Sequence, residues 1–151
     1  MLDTNVLVSA FISKRGQPAK ILDIILTFPE IKLILSNSIL EEFGEVISRQ
    51  EVRERFDYSE HEIESFVQAI RDISTIVKLK SNFSVIKEDP KDDIILNTAY
   101  DGKVDYIVSG DFHLQKLKKF KDIKIVSPKQ MMKIITRRFG ELIISGEKIE
   151  K

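Results

Sequence analysis

DPKDDIILNTAYDGKVDYIVSGD, running from Asp89 to Asp111, decides how this chain is read. Asp89 is suited to N-cap a helix and Pro90 to its first position, where a missing N–H costs nothing and the ring pre-sets the backbone. Ile95, Leu96 and Ala99 then recur at helical spacing, and Gly102 ends the helix. Tyr106-Ile107-Val108 is a short apolar strand ahead of the turn residues Ser109-Gly110. Carboxylates frame this helix-strand unit. Asp92 shares the stripe of Ile95 and Ala99, whereas Asp93 is rotated by about 100 degrees away from it. Asp111 follows the strand directly, at the carboxyl edge where open parallel sheets place their ligand sites. Together they point to a partly buried acidic pocket, which needs a cation. Each acid also has an ordinary explanation: Asp92 as a first-turn residue favouring the helix dipole, Asp111 as the N-cap of a helix that Phe112 begins. Whether further acids converge on the same place decides between these readings.

The rest of the chain sets the frame. Its 151 residues are enough for one domain with a full core, and 42% hydrophobic with 32% charged residues is the profile of a globular protein, not a disordered or membrane one. With no cysteine there is no disulfide, thiolate chemistry or Cys-based zinc site. The apolar run Val6 to Ile12 is too short to span a bilayer and lacks the features of a signal peptide, so a cytoplasmic protein without a membrane partner is expected. The 24 basic residues balance 24 acidic ones, so a nucleic-acid partner would have to be held by a local patch.

Upstream, Met1-Leu2-Asp3 reads as the end of a buried strand, placing Asp3 at a second strand end, and Thr4-Asn5 can cap a helix carrying Val6, Leu7, Ala10 and Phe11. A second helix carries Ala19, Leu22, Ile25 and Leu26. Ile31 to Leu35 is a strand, followed by the capping cluster Ser36-Asn37-Ser38 and a helix with the stripe Ile39, Phe43, Val46 and Ile47. In that helix Glu41 and Glu45 fall on the far side, while Glu42 lies at the edge of the apolar arc and is the one able to reach inward. Its plainer reading is a solvated rim glutamate. Gln50 to Tyr58 reads as a charged connector, and Ser59 with Glu62 forms a capping box opening the helix of Ile63, Phe66, Val67, Ile70 and Ile73, with His61 facing solvent. Thr75 to Leu79 is a further strand.

Downstream of Asp111, a short helix directs Leu114, Leu117 and Phe120 inward and Lys116, Lys118, Lys119 and Lys121 outward. Ile123 to Val126 is a final strand, and Met131, Met132, Ile134 and Ile135 belong to a last helix. This gives one domain over residues 1–135 and a tail, 136–151, that the pattern leaves unplaced. Strands alternating with helices at such short spacing predict an α/β fold with right-handed crossovers, a mainly parallel sheet and helices on both faces.

Four motifs then occur in order: LDTNV at Leu2 to Val6, S-x-x-x-L-E-E at Ser36 to Glu42, DPKDD with A-Y-x-x-K-V-D-Y at Asp89 to Tyr106, and IVSGD at Ile107 to Asp111. Each is weak alone. As a set they resemble a PIN domain, and most closely the bacterial and archaeal branch of toxin components of toxin-antitoxin systems. The resemblance runs from Met1 to about Ser127. It implies a three-layer α/β/α fold with a five-stranded sheet of order 3-2-1-4-5, and a metal-dependent ribonuclease whose acidic quartet maps onto Asp3, Glu42, Asp92 and Asp111. Asn5 and Ser109 match positions that support the site by hydrogen bonds. RNA as substrate, a cognate antitoxin and a second copy of the chain in a dimer are the partners this reading carries. The family's first strand usually has several apolar residues before its aspartate, where this chain has Met1-Leu2.

The residue types suit that chemistry. Mg²⁺ and Mn²⁺ are hard cations that take oxygen ligands, and Mg²⁺ keeps several waters, so a few carboxylates plus substrate phosphate suffice. Asp3, Asp92 and Asp111 are expected to hold one or two ions, with Glu42 orienting water or completing a second site. Lys116, Lys118, Lys119 and Lys121 are candidates for backbone phosphate contacts, against the plainer reading of a solvated face. A receiver or haloacid-dehalogenase-like domain would also gather aspartates at strand ends. Against both, the first strand ends in Asp3-Thr4-Asn5 instead of an acidic pair or D-x-D. The alternative kept is an inactive PIN-like module that binds RNA or protein.

Overall fold

A computed structural model describes the backbone of residues 1–86 and 89–150, and the side chains of those residues as far as Gly140. The elements run α1 (Thr4–Ile12), α2 (Gln17–Thr27), β1 (Leu33–Leu35), α3 (Asn37–Ile47), α4 (Gln50–Arg55), α5 (Glu60–Ile73), β2 (Ser74–Ile76), α6 (Pro90–Asp101), β3 (Tyr106–Val108), α7 (Phe112–Gln115), β4 (Lys119–Phe120), β5 (Ile123–Val126) and α8 (Pro128–Glu150). The α/β class is as the alternating pattern predicts. The sheet differs. β1 pairs in parallel with β2, and β3 in parallel with β5, whose other edge carries β4 antiparallel. The first strand is reduced to one parallel bridge, Leu2 to Val108. It is fixed by the Asp3 N–H donating to the Val108 carbonyl at 3.0 Å and the Val108 N–H to the Met1 carbonyl at 2.9 Å.

The expected neighbour is in place on the β3 side, but among the described residues no ladder joins the first strand to β1. Instead of one continuous five-stranded sheet there are two pieces, of two and three strands. A cleft of ~440 Å³ lies along the break, lined among others by Met1, Leu2, Leu33, Ile34, Tyr106 and Ile135. At its wall the Met1 ammonium is buried and donates to the Tyr106 carbonyl at 3.0 Å. Burial pushes its pKa down to about 5, against the opposing pull of Asp105.

Apolar periodicity builds the core as expected, with Leu2, Leu7, Leu33, Leu35, Ile39, Phe43, Ile95, Leu96 and Ile107 fully buried. Phe11, Phe43 and Phe66 meet with ring centroids 5.0 to 5.9 Å apart, tying α1, α3 and α5 together. The Tyr58 ring joins this cluster at 5.0 Å from Phe11, and its hydroxyl donates to the Ile47 carbonyl. The capping box at Ser59 and Glu62 forms as read, and His61 is exposed. The stretch read as a connector, Gln50 to Tyr58, contains the short helix α4.

Two local readings change. Gly102 does end α6, but with φ −83° and not in the left-handed region. What requires glycine there is close approach, since a Cβ would run into the Ile34 side chain and stand 3.0 Å from the Thr98 carbonyl. The left-handed residue is Lys103, at φ 53°. The lysine-rich stretch is not a helix face either. α7 stops at Gln115, Lys118 and Lys121 adopt φ 60° and 55°, and Lys119 lies in β4. A hairpin onto β5 satisfies the backbone while still burying Leu114 and Phe120. The last helix, α8, continues past residue 135 through a non-helical Phe139 to Glu150, so its backbone spans most of the stretch the sequence pattern left unplaced. Among the described residues no helix is long and apolar enough to cross a membrane.

Candidate active site at the strand ends

Asp3 and Asp111 stand just beyond the neighbouring strand ends of Leu2 and β3, which the parallel bridge aligns at one edge. Ser109 joins them. Fully buried, it donates its Oγ proton to Asp3 Oδ2 at 2.6 Å and accepts the Asp111 N–H on the same oxygen at 3.0 Å. The Ser109 carbonyl is itself held by Gln115 Nε2 at 2.8 Å. Asp111 also N-caps α7, its Oδ1 accepting the His113 N–H at 2.7 Å, so the capping explanation is true and does not exclude a role in the site. Asn5 contributes through its backbone. Its side chain is exposed, and its N–H draws the Asp3 pKa down without meeting the geometry of a cap hydrogen bond.

α6 delivers Asp92, capped as read by Asp89 Oδ1 accepting the Lys91 N–H at 3.0 Å. Asp92 is buried, and its pKa is raised from 3.8 to about 7, by burial first and then by Asp111, Asp89 and Asp3, with His113 acting in the opposite direction. Asp3 is raised too, by burial before all else; Ser109 and the Asn5 N–H oppose this, while Asp111 and Glu42 add to it. These mutual effects place the carboxylates in one electrostatic neighbourhood. Glu42 is half-buried and accepts the Thr4 hydroxyl proton at 2.9 Å, whereas Glu41 and Glu45 are exposed, as the helix phase of α3 predicts.

Among the described residues no three His, Asp or Glu side chains stand within clasping distance of a common ion. The acids share a field without forming a closed coordination shell. Among the described residues, the buried side-chain polar atoms lacking a hydrogen-bond partner are Asp92 Oδ2 and His113 Nδ1, both at this place. A buried carboxylate oxygen with no hydrogen-bond partner, its carboxyl in the field of Asp111, Asp89 and Asp3, suits a hard cation that reaches some ligands through water.

Two groups of residues escaped sequence reasoning. His113 has no periodic signature in so short a helix; its only signal is its position two residues after Asp111. The second group lies on α6, where Asp93, Asn97 and Asp101 succeed one another at four-residue intervals. Asp93 is not turned away from the interior, as its phase led us to expect. It is buried, and its Oδ1 accepts the N–H groups of Val85 and Ile86, both at 2.9 Å. Asn97 accepts the Phe83 N–H at 2.7 Å and donates back to the Phe83 carbonyl at 3.2 Å. Asp101 accepts the N–H groups of Lys80 and Ser81 at 2.7 and 2.9 Å and the Ser81 hydroxyl. This ladder straps residues 80–86 along α6 and leads the chain to Asp89. Polar residues at i, i+4 and i+8 beside an apolar stripe were its sequence signal. Of the lysines, Lys121 sets its ammonium over the rings of Phe83 and Phe120, at 5.2 and 5.9 Å. Lys116 lies over Phe112, next to Asp111, at 5.9 Å.

A family model described as PIN domain matches residues 1–113, from the first strand through the Asp111 motif. The chain belongs to the PIN domain family. PIN domains are generally nucleases that use divalent metals. The chain is also 35% identical over 120 residues to an uncharacterized protein, MJ1680, of Methanocaldococcus jannaschii, an alignment covering 78% of this chain and 74% of the relative.

Proposed function

We propose that this PIN domain is a Mg²⁺- or Mn²⁺-dependent ribonuclease that hydrolyses RNA phosphodiester bonds. The observation that carries this is Asp92: a buried, unpartnered carboxylate oxygen at the start of α6, its pKa raised by burial and by Asp111 and Asp3. Asp3, Asp92 and Asp111 would hold the cation directly or through water, and Glu42, held from one side by Thr4, orients water or completes a second site. A bound divalent ion supplies Lewis acidity at the phosphoryl group and makes water acidic enough to attack near neutral pH. Ser109 holds one Asp3 oxygen and the Asp111 backbone in fixed positions. Lys116 is the lysine best placed for a substrate phosphate, with Lys118, Lys119 and Lys121 further along the β4 turn. In this reading the enzyme is the toxin of a toxin-antitoxin pair, working as a cytoplasmic homodimer on RNA until a cognate antitoxin occludes the acidic pocket.

The open spacing of the acids favours one competing reading, a PIN-like module that binds RNA or protein without cutting. The comparison of Glu42→Gln with Glu41→Gln separates them. Cleavage of a labelled single-stranded RNA in Mn²⁺ should fall at least tenfold in Glu42→Gln, about 1.4 kcal/mol of barrier, and stay near wild type in Glu41→Gln. Equal rates in all three proteins would remove Glu42 from the site, and no metal-dependent cleavage in any would favour the binding module.

A further inference from the structure

Phe112 is 70% exposed, the most exposed of the large apolar side chains described, and it directly follows Asp111. Burial would be the default for a phenylalanine, and its neighbours Leu114 and Phe120 are buried. The surroundings of the ring are specific. The Lys116 ammonium stands 5.9 Å from its centroid, and the His113 ring meets it edge to face at 6.0 Å. Gly110, on the other side of Asp111, is exposed and has open space where a side chain would stand. An exposed aromatic ring, a cation over it and a bare backbone thus stand around Asp111.

We infer that Phe112 is a stacking platform for an unpaired base next to the phosphate that a cation at Asp111 would hold, and that this platform selects single-stranded RNA. The inference rests on the nuclease reading and adds to it how the substrate is seated. Every base offers a π-face, so one exposed ring binds single strands without demanding a sequence, while a base inside a duplex keeps its own stacking partners. Lys116, beside the ring, matches the phosphate that accompanies each base. A single ring flanked by a cation and an acidic pocket suits a nucleotide better than an apolar peptide, which would need a wider patch.

The chain has no tryptophan, so Phe112→Trp introduces a sole indole as reporter. In Ca²⁺, its fluorescence should be quenched on titration with a short single-stranded RNA. Quenching should be lost when the same oligonucleotide carries abasic sites, and be weak with blunt duplex RNA. Phe112→Ala should weaken binding of the intact strand by about tenfold, the scale of one lost stacking contact, and Phe112→Trp should retain it. RNA binding by wild type that is unchanged in Phe112→Ala, or quenching that is equal with abasic or duplex RNA, overturns the platform while leaving the nuclease reading intact. Failure of wild type either to bind or to cleave RNA overturns the nuclease reading itself.

Discussion

Without metal, Asp92→Asn should be more stable than wild type at pH 8 and no more stable at pH 4. Burial, then Asp111, Asp89 and Asp3, push the folded Asp92 carboxyl up to about 7 from an ordinary 3.8, which works against the ionised form in the folded state. The sign follows from the direction of the shift. Below the unfolded value both states are protonated and nothing is lost. As pH rises from about 4 to 7, the unfolded chain releases its proton freely while the folded one must ionise among Asp111, Asp89 and Asp3, and stability falls. An amide carries no such penalty. The expected gain is about 2 to 4 kcal/mol at pH 8, read by thermal melts in EDTA across pH 4 to 9. The buried Met1 ammonium, its pKa lowered to about 5, makes stability rise over pH 5 to 8, but it is common to both proteins and cancels in the difference. Mn²⁺ should close most of this gap, stabilising wild type by ~2.7 kcal/mol at a hundredfold excess over Kd and the variant far less. A variant less stable than wild type in EDTA at pH 8, and indifferent to Mn²⁺, would leave Asp92 as a residue that merely favours the helix dipole.

Asp93→Ala should act in the opposite sense although the residues are adjacent. Truncation strips the Val85 and Ile86 N–H groups of their shared acceptor beside a buried Ile86. Unmade buried hydrogen bonds of this kind cost about 1 to 3 kcal/mol each, so a loss of about 2 to 4 kcal/mol is expected in urea denaturation at pH 7. Asp93→Asn keeps an acceptor oxygen and should lose only about 1 kcal/mol. Hydrogen exchange gives a local readout: the amides of Val85 and Ile86 should lose protection in Asp93→Ala, while those of β3 follow global stability. A change within about 0.5 kcal/mol would mean that the strap along α6 contributes nothing.

That contrast shows what sequence could and could not deliver. Periodicity located α6, β3 and the stripe of α3, and it separated Glu42 from Glu41 because a helix with one buried face makes phase meaningful. It misjudged Asp93 because α6 is buried nearly all round. There an angle from the apolar stripe indicates another partner, here the N–H groups of residues 80–86, and not solvent. Asp111 was readable both as a cap and as a site acid; the cap is formed, and the Asp111 charge helps raise the pKa of Asp3 and Asp92. A motif-based sheet order says which strands should be neighbours but not which neighbours form a ladder, so the missing ladder between the first strand and β1 did not show in it. The lysines after Asp111 share a helical spacing, but Lys118 and Lys121 adopt left-handed backbone because the hairpin onto β5 satisfies more backbone groups than another helical turn. His113 and Phe112 carry no pattern at all. Only the structure, with the unpartnered His113 Nδ1 and the exposed Phe112 ring, makes them visible.

The most direct test is cleavage of a 5′-labelled single-stranded RNA by wild type and Asp92→Asn side by side, in millimolar Mn²⁺ and in EDTA, with melting temperatures taken on the same samples. The account predicts wild-type cleavage in Mn²⁺ that EDTA abolishes, and at least a tenfold loss in a variant that is the more stable of the two in EDTA. Cleavage by Asp92→Asn at the wild-type rate, or wild-type cleavage that persists in EDTA, would contradict it.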